Sequence, residues 1–330
     1  MIIIYHLTVC LIVIVNHIAS KPVKPNILFI LGDDLGYADV SWNNPEMITP
    51  HLHKLARQGV ILDQFYAQPK CSPSRAALLT GIYPYKMSMQ RGSIGDFRPT
   101  GVPTILPTLP QLLKRAGYST HLVGKWHVGY CHEDYTPNKR GFDTFFGALS
   151  QQADHYTRIH EINRFIGAGY DLWRNGNISY EGKGKYSTHL WEEETISLIN
   201  SMNSSSPWFI QLAPTAAHTP FQAPDQYSKL YVKQRKNKWN GTYDDEIVRK
   251  GMVTSLDESV GKIVDVLKSK GLYDNTVIVF SSDNGAGLHA GNAPLRGKKG
   301  EIFEGGVRVP AFIHGKVLRK YTKIQPGHVR

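Results

Sequence analysis

Residues 71–75 read CSPSR and place a cysteine and an arginine four positions apart, at the head of a short apolar segment. A helix that begins at Ser72 or Pro73 would accept proline in its first turn, and its free backbone N–H groups would face an anion. Arg75, one turn further on, would hold positive charge beside Cys71. The spacing therefore indicates chemistry on an anionic group. A buried cysteine next to a surface arginine is the plainer alternative for an isolated motif of this kind.

Oxygen-donor side chains follow two apolar runs of strand length. Asp33 and Asp34 come after the run PNILFIL, and Asp283 and Asn284 come after the run TVIVF. Continuous apolar runs are typical of strands buried on both faces of a parallel sheet, and such sheets place ligands at the carboxyl ends of their strands. Carboxylate and amide oxygens suit Ca²⁺ or Mg²⁺ rather than zinc. An isolated Asp-Asp pair is more often a solvated turn, but its recurrence at a second strand end predicts a metal site.

The elements that position these groups alternate between strand and helix along the chain, which indicates the α/β class. We expect strands over residues 25–31, 60–66, 119–124, 208–212, 276–280 and 307–313. We expect helices from Thr49-Pro50 to Gly59 and over 109–116, 189–200 and 247–270. Residues 128–188 are rich in glycine, aromatic and polar residues, and this composition predicts a long loop region.

Composition and charge narrow the class of partner. The 330 residues are 41% hydrophobic, which is enough for a large core, and 38 Lys plus Arg against 27 Asp plus Glu give a net charge of +11. Such an excess favours anionic partners. The basic residues are spread along the chain except at 229–238, and no nucleic-acid motif is present, so we expect no nucleic-acid partner. A sulfated polysaccharide fits the charge better.

The first twenty residues predict passage through the secretory pathway. Residues 2–20 form an apolar stretch that closes on Ala19-Ser20, as in a secretory signal peptide, although a positive start is missing. We therefore expect a signal peptide over 1–20, a catalytic domain over 21–330 and no stable membrane insertion after cleavage. An uncleaved membrane anchor is the alternative. Three N-x-S/T sequons, at Asn177, Asn203 and Asn240, agree with a lysosomal or extracellular destination.

Cysteine usage leaves no internal crosslink. Cys10 would be lost with the signal peptide, so Cys71 and Cys131 remain. If Cys71 is consumed chemically, no disulfide can form and Cys131 is an odd thiol. The core and a metal would then hold the chain together.

Several motifs together carry a resemblance to a known family. The CSPSR string, followed by AALLTG, resembles the sulfatase signature, whose cysteine is oxidised to formylglycine in the endoplasmic reticulum. Further motifs match the same family in order, from about Pro25 to Val309: GKWH at 124–127, RGFD at 140–143, AHTP at 217–220, SDNG at 282–285 and EGGVR at 304–308. The strings PLRGKK at 294–299 and GFDTFFG at 141–147 look most like the arylsulfatase B branch, which includes N-acetylgalactosamine-4-sulfatase and close arylsulfatase relatives.

The resemblance implies a fold and two cofactors. The fold is a large mixed, mostly parallel sheet with helices on both faces, similar to alkaline phosphatase. One Ca²⁺ would be bound by Asp33, Asp34, Asp283 and Asn284 together with the oxygen of a formylglycine made from Cys71. The formylglycine-generating enzyme would then be a partner of this chain, and the substrate would be a sulfated glycan or an aryl sulfate.

The resemblance also implies a role for each group around the cysteine. Hydrated formylglycine at position 71 would offer one hydroxyl as the nucleophile, and Arg75 would orient it. Asp283 would be the base for that hydroxyl. His127 would be the base for the second hydroxyl, which lets the carbon expel sulfate without attack by water at sulfur.

Three more groups would bind the substrate. Lys125 would hold sulfate oxygens, and His218 and Lys299 would hold the sulfate and protonate the leaving alcohol. The family lysine stands five residues before the glutamate of EGGVR, and this spacing selects Lys299 over Lys298. His121, on an expected strand, keeps a purely structural interpretation.

Two features depart from the family. The loop after Gly147 reads ALSQQADH, and the family's polar substrate residue has no clear counterpart in it. Family members also continue beyond EGGVR into a smaller C-terminal domain, so we expect this chain to be truncated, poorly soluble and weakly active by itself. A catalytically weak protein that binds sulfated glycans is therefore one alternative. A phosphohydrolase of the alkaline phosphatase superfamily is another, although those enzymes use Ser or Thr with two zinc ions.

Overall fold

The structure is a computed structural model, and it describes residues 24–96, 98–151, 153–163, 167–202, 206–234, 243–320 and 327–329. The predicted signal peptide and the sequons at Asn203 and Asn240 lie outside the described residues. The sequon residue Asn177 is described, and it is exposed on a short strand. In the described ranges no helix combines the length and the apolar character that a membrane crossing requires.

A ten-stranded sheet forms the centre of the described structure. The strands in chain order are β1 (Asn26–Gly32), β2 (Val60–Leu62), β3 (Ser119–Gly124), β4 (Thr144–Gly147), β5 (Ile159–Asn163), β6 (Gly167–Tyr170), β7 (Trp173–Arg174), β8 (Asn177–Ile178), β9 (Trp208–Ala213), β10 (Thr276–Ser282), β11 (Phe312–His314) and β12 (Gly327–Val329). Their order across the sheet is β12-β2-β11-β10-β1-β9-β3-β4-β7-β8, and β5 and β6 form a separate hairpin.

The middle of the sheet is parallel and its two margins are mixed. Strands β10, β1, β9, β3 and β4 pair in parallel, whereas β11 and β7 run antiparallel to their neighbours. Because β1 lies between two parallel neighbours with helices above and below, its residues from Ile27 to Leu31 are all apolar. In the β1–β10 register Gly32 faces Ser282, so the residues after both strands leave the sheet at one level. The α/β class with a mostly parallel sheet is confirmed.

Helices cover both faces of the sheet. They are α1 (Pro50–Gln58), α2 (Cys71–Thr80), α3 (Leu109–Arg115), α4 (Ser187–Ser201), α5 (Asp225–Lys229), α6 (Asp245–Ser269) and α7 (Glu304–Val307). Short 3-10 turns lie at Pro84–Met87, Glu133–Tyr135, Val232–Gln234, Tyr273–Asn275, His289–Asn292 and Lys316–Lys320. One apolar cluster joins α1, α4 and α6 to the sheet, and a second joins α2 and α3 to its opposite face.

Three sequence expectations need correction. The strand expected over 60–66 ends at Leu62, and only an isolated bridge between Tyr66 and Arg308 continues it. The region 128–188 is not simply a loop, since it supplies five short strands, β4 to β8. The strand expected over 307–313 is instead the end of α7 followed by β11, because the tight backbone packing at Gly305 and Gly306 turns the chain there.

The first turn of α1 is capped by a residue outside the helix. Thr49 precedes the helix, but its hydroxyl exchanges hydrogen bonds with Ser41 rather than with the helix. The free N–H groups of His51 and Leu52 donate to the Asp257 carboxylate on α6, at 3.1 and 2.7 Å. Burial raises the pKa of Asp257 to about 6, and the two N–H groups oppose that shift. A residue about 200 positions away in the sequence therefore caps the N-terminus of this helix.

Candidate active site

The two acidic segments meet at the carboxyl ends of β1 and β10. Asp283 N donates to Gly32 O at 3.1 Å, and Asp34 N donates to Asp283 Oδ1 at 3.2 Å. Asn284 Nδ2 donates to Asp34 Oδ1 at 2.8 Å. Asp33, Asp34, Asp283 and Asn284 are all buried. The parallel register therefore brings together the oxygen donors that the sequence suggested would meet.

Cys71 begins α2 and points into this acidic group. Its Sγ lies 3.7 Å from Asp33 Oδ1 and 3.8 Å from Asp34 Oδ1. The helix starts at Cys71 itself, with Lys70 as the preceding cap residue, and not at Ser72 or Pro73. Burial raises the pKa of the Cys71 thiol, and the nearby Asp283 carboxylate raises it further. The unmodified side chain is thus a protonated thiol, which is a poor nucleophile.

Arg75 ties the helix to both strand ends. Its Nε and Nη2 each lie 2.9 Å from Asp283 Oδ2, and Nη1 donates to Lys125 O at 3.0 Å. Burial and the neighbouring Asp33 charge raise the pKa of Asp283 to about 6, against the opposing effect of Arg75. Burial alone would raise the pKa of Asp33 as well. Lys125, His218, Arg75 and Lys299 outweigh it and hold that pKa well below its usual range.

Three cationic or ionisable groups complete the inner shell. Lys125 Nζ lies 3.0 and 2.7 Å from the two Asp33 oxygens, and Lys299 Nζ lies 2.7 and 2.8 Å from those of Asp34. His218 Nε2 lies 3.8 Å from Asp34 Oδ2. The structure thus places the three predicted sulfate-binding side chains beside the carboxylates. Among the described residues, the side chain of Lys298 makes no contact with these carboxylates. Its backbone N–H donates to the Glu301 carboxylate.

His127 lies in the turn after β3, with a left-handed φ of 58°. Its Nε2 is 3.1 Å from Ile94 O, which can only accept, so this nitrogen carries the proton. Its Nδ1 is buried and has no hydrogen-bond partner among the described residues. Burial, then Lys125 and Arg75, lower the pKa of His127 well below its usual range. A neutral imidazole with a free lone pair is a suitable proton acceptor.

The donor set fits a hard divalent cation. Asn284 Nδ2 donates to Asp34 Oδ1 and to Gly285 O, which fixes the amide orientation and leaves Asn284 Oδ1 buried without a donor. A buried, unpaired amide oxygen beside two carboxylates is a typical calcium-ligand arrangement. Asp33, Asp34, Cys71 and His218 also offer ligand atoms that all lie within 4.8 Å of one another. His218 was not expected in this group, whereas Asp283 directs its carboxylate to Arg75.

Two supporting residues were not identified from the sequence. The Asn292 side chain accepts from Ala286 N and donates to Ala286 O, at 2.8 and 2.9 Å, and Lys299 N donates to the same carbonyl. This asparagine thus folds the loop that delivers Lys299. Gly124 has a φ of 104°, and a Cβ built on it would lie 2.1 Å from Ala213 O. The glycine of the GKWH motif was a signal for such an approach, but Asn292 carried none.

Among the remaining expectations, His121 is buried on β3 and its Nδ1 contacts Thr144 Oγ1 at 2.8 Å. In the described structure it makes no hydrogen bond or ion pair with the site residues around Cys71. Cys131 is a free, exposed thiol.

The structure defines an α/β protein with a cysteine, an arginine and paired carboxylates at the strand ends of its sheet. Comparison with known proteins identifies the family. Residues 25–325 match the profile of the Sulfatase family, and the chain belongs to it.

Named relatives and solved structures agree with this assignment. The chain is 39% identical over 302 residues to arylsulfatase J of Mus musculus and 34% identical over 318 residues to N-acetylgalactosamine-6-sulfatase of the same species. These matches cover 90% and 89% of this chain but 49% and 58% of the relatives, so the chain spans about half their length.

Among solved structures, Ps i-CgsB in complex with k-i-k-neocarrahexaose superposes with a TM-score of 0.81 at 35% identity, covering 92% of this chain and 68% of that one. The PsFucS1 sulfatase from Pseudoalteromonas sp. superposes with a TM-score of 0.74 at 29% identity, covering 95% and 66%.

Proposed function

We propose that this chain is a sulfuric ester hydrolase of the arylsulfatase type, which cleaves sulfate esters of aryl alcohols or of glycosaminoglycan sugars. The observation that carries the proposal is the placement of Cys71 against Asp33 and Asp34, with Arg75 on the same helix. Lys125, Lys299 and His218 border the same small space. Positive charge from three segments around one buried centre suits an anionic ester.

Two cofactors belong to the proposal. Ca²⁺ would be held by Asp33, Asp34, Asp283 and Asn284, with the position-71 oxygen as a further ligand, and formylglycine would be made from Cys71 by the formylglycine-generating enzyme. When present, the hydrated aldehyde supplies the nucleophilic oxygen and the cation offsets the charge of the acidic group. The raised pKa of the Cys71 thiol argues against the unmodified thiolate as the nucleophile, because burial and the acidic neighbours suppress that form.

The chain's own residues would move the protons. His218 Nδ1 donates to Thr219 O at 2.7 Å, so the second, titratable proton of this ring is on Nε2, which faces the acidic group. Burial and Lys125 lower the pKa of His218 and make its protonated form a stronger acid. We assign it the proton that the leaving alcohol receives, with Lys125 and Lys299 holding sulfate oxygens.

We assign two groups as bases for the hydroxyls of position 71. Asp283 lies beside Arg75, and its pKa of about 6 suits a carboxylate that takes a proton and releases it near neutral pH. His127 keeps a bare Nδ1 in the same buried region. We assign Asp283 to the attacking hydroxyl of position 71 and His127 to its partner hydroxyl.

The branch and the destination are further parts of the proposal. Arylsulfatase J among the relatives supports an arylsulfatase, and the N-acetylgalactosamine-6-sulfatases support a sulfated amino sugar as substrate. The motifs PLRGKK and GFDTFFG predicted the branch of N-acetylgalactosamine-4-sulfatase, whereas the relatives named above are arylsulfatase J and N-acetylgalactosamine-6-sulfatase. An exposed sequon at Asn177 supports a secretory route to the lysosome or the cell exterior, with residues 1–20 as the signal peptide.

A direct test uses the full chain secreted from cells that contain the modifying enzyme. Mass spectrometry of the Cys71 peptide should show an aldehyde or its hydrate, and the protein should hydrolyse 4-nitrophenyl sulfate in the presence of Ca²⁺. Cys71→Ala should lower kcat by at least about 10³-fold while the melting temperature changes little, because only the nucleophile is removed. 4-Nitrophenyl phosphate is the control ester. An intact thiol at position 71, or faster cleavage of the phosphate than of the sulfate, would contradict the proposal.

A further inference from the structure

A buried histidine outside the expected site touches the backbone of His218. His155 lies between β4 and β5 and is 1% exposed. Its Nε2 lies 3.3 Å from the carbonyl oxygen of His218. Because a carbonyl oxygen only accepts, the Nε2 of His155 must carry the proton.

The second ring nitrogen of His155 is fixed as well. Its Nδ1 lies 2.6 Å from Ser187 Oγ at the start of α4, and Ser187 Oγ lies 3.4 Å from Thr215 Oγ1. Burial lowers the pKa of His155 to about 4, so the neutral ring accepts the Ser187 hydroxyl proton at Nδ1. One tautomer, with a donor at one end and an acceptor at the other, satisfies both partners.

The segment around His218 is held from both sides. His218 N donates to Thr215 O at 2.8 Å, and His155 N donates to the side chain of Gln222 at 2.8 Å. The ring of His218 bonds to the carbonyl of the next residue, Thr219. His155 therefore holds the carbonyl of the 218–219 peptide, and the His218 ring bonds to the carbonyl of the next peptide, 219–220. The backbone on both sides of Thr219 sets the direction of the His218 ring.

We propose that His155 is a positioning residue for His218. Through its Nε2–H it fixes the 218–219 peptide, so that the Nε2 of His218 faces the oxygen of the departing alcohol. This inference rests on the proposed function, in which His218 supplies that proton. In the described structure His155 makes no contact with Cys71, Asp33 or Asp34. Its hydrogen bond to the His218 carbonyl accounts for the presence of a buried histidine at this position.

Two substitutions separate positioning from packing. His155→Gln places an amide N–H near the position of Nε2 and keeps a donor for His218 O, whereas His155→Asn places its amide near Nδ1 and keeps only the Ser187 contact. Both should lower the melting temperature, since each loses one buried hydrogen bond. His314→Asn is the matched control. His314 is also buried between a hydroxyl and a carbonyl, those of Tyr273 and Leu55, but it lies on β11.

The readout is the ratio of kcat/KM for phenyl sulfate to that for 4-nitrophenyl sulfate, because phenol is the poorer leaving group and needs the proton more. We expect His155→Asn to lower this ratio at least about tenfold, and His155→Gln and His314→Asn to leave it within about twofold of the parent. Equal losses on both esters, in proportion to the melting temperature, would overturn the inference. If His155→Asn does not fold, His155→Ala, which also removes the donor to His218 O, takes its place with the same criterion. Ser187→Ala loses only the contact to Nδ1 and should leave the ratio within about twofold of the parent.

Affinity for inorganic sulfate, measured by calorimetry, gives a readout without turnover. His155→Asn should bind sulfate at least about threefold more weakly than His155→Gln, since His218 also contacts the sulfate. If the parent protein hydrolyses neither ester, the proposed function fails. The sulfate affinities then decide the inference alone, with unequal values in its favour and equal values against it.

Discussion

At the residue scale, the site separates two carboxylates that lie close together. Asp33 is held ionised by four cationic or ionisable neighbours, with Lys125 foremost, whereas burial and Asp33 itself raise the pKa of Asp283 to about 6. When the surroundings of two such groups push their pKa values apart, one group can serve as a permanent charge and the other as a base. The pKa values of the two aspartates are thus shifted in opposite directions although their sequence contexts, Gly-Asp-Asp and Ser-Asp-Asn, look alike.

The buried His155 gives stability a defined pH dependence. Its pKa is lowered from 6.5 to about 4 by burial, so the unfolded chain takes up a proton that the folded chain refuses between these values. The contribution is complete above pH 6.5 and is lost as the pH falls toward 4, by up to about 3 kcal/mol. We expect the difference in unfolding free energy between the parent protein and His155→Gln to shrink by a large part of this amount from pH 7 to pH 4.5.

Urea unfolding at the two pH values measures this difference, and the comparison cancels acid effects common to both proteins. A difference that is the same at pH 7 and pH 4.5 would show that His155 titrates alike in the folded and unfolded chain.

At the element scale, glycines permit the strands to meet where the site residues leave them. A Cβ built on Gly124 would lie 2.1 Å from Ala213 O, and one built on Gly147 would lie 1.8 Å from Gly124 O. Strands β3, β9 and β4 therefore come together at their carboxyl ends with backbone against backbone. This contact sets the direction in which Lys125 and His127 enter the site.

Gly124→Ala should disturb both stability and catalysis. The methyl group would collide with the backbone of β9, and φ at this position is 104°, so we expect a loss of about 3 kcal/mol or more in unfolding free energy. Displacement of Lys125 and His127 should lower kcat/KM for an aryl sulfate in addition.

Gly271→Ala is the matched control, because Gly271 also has a positive φ, 68°, but nothing lies within 4 Å of its Cβ position. It should cost about 1 kcal/mol and leave kcat/KM unchanged. Thermal unfolding and initial rates measure both variants. Similar losses in the two would mean that the backbone conformation, and not the contact with β9, accounts for the glycine at 124.

At the scale of the whole molecule, the acidic centre joins segments that are far apart in the chain. β1 leads to Asp33 and Asp34, β10 leads to Asp283 and Asn284, α2 supplies Cys71 and the loop after Asn292 supplies Lys299. A cation bound here would crosslink these segments in the folded state and would find no such site in the unfolded chain. Binding of a cation and global stability would therefore be coupled.

Chelation should lower the melting temperature of the whole protein. At a free Ca²⁺ concentration of about 1,000 times Kd, binding adds about 4 kcal/mol, so we expect EGTA to lower the melting temperature by about 5–10 °C. Asn284→Ala removes the unpaired buried amide oxygen and should make the melting temperature nearly insensitive to EGTA. Differential scanning calorimetry of the protein in EGTA and in Ca²⁺ measures the shift in melting temperature. An identical melting temperature in EGTA and in Ca²⁺ would exclude a structural cation at this centre.

The sequence by itself determined what depends on neighbouring residues. Continuous apolar runs identified β1 and β10, and helical spacing identified α6 to within a few residues. The sequence also predicted β3 and β9. The residues after β1 and β10 could be placed together because parallel strands end at one edge of a sheet. Motifs in a fixed order predicted the sulfatase family. The family's spacing between the lysine and the EGGVR motif selected Lys299 over Lys298.

Only the tertiary structure decided the contacts between distant segments. No local pattern indicates that Asp257 starts α1, that Asn292 folds the loop of Lys299, or that His155 holds His218. The strands β4 to β8 are two to five residues long, too short for any periodicity to register, and they exist because neighbouring strands supply their hydrogen bonds. The physical reason is the same throughout: a hydrogen bond or an ion pair depends on distance in space, and the chain order does not contain that distance until the sheet has formed.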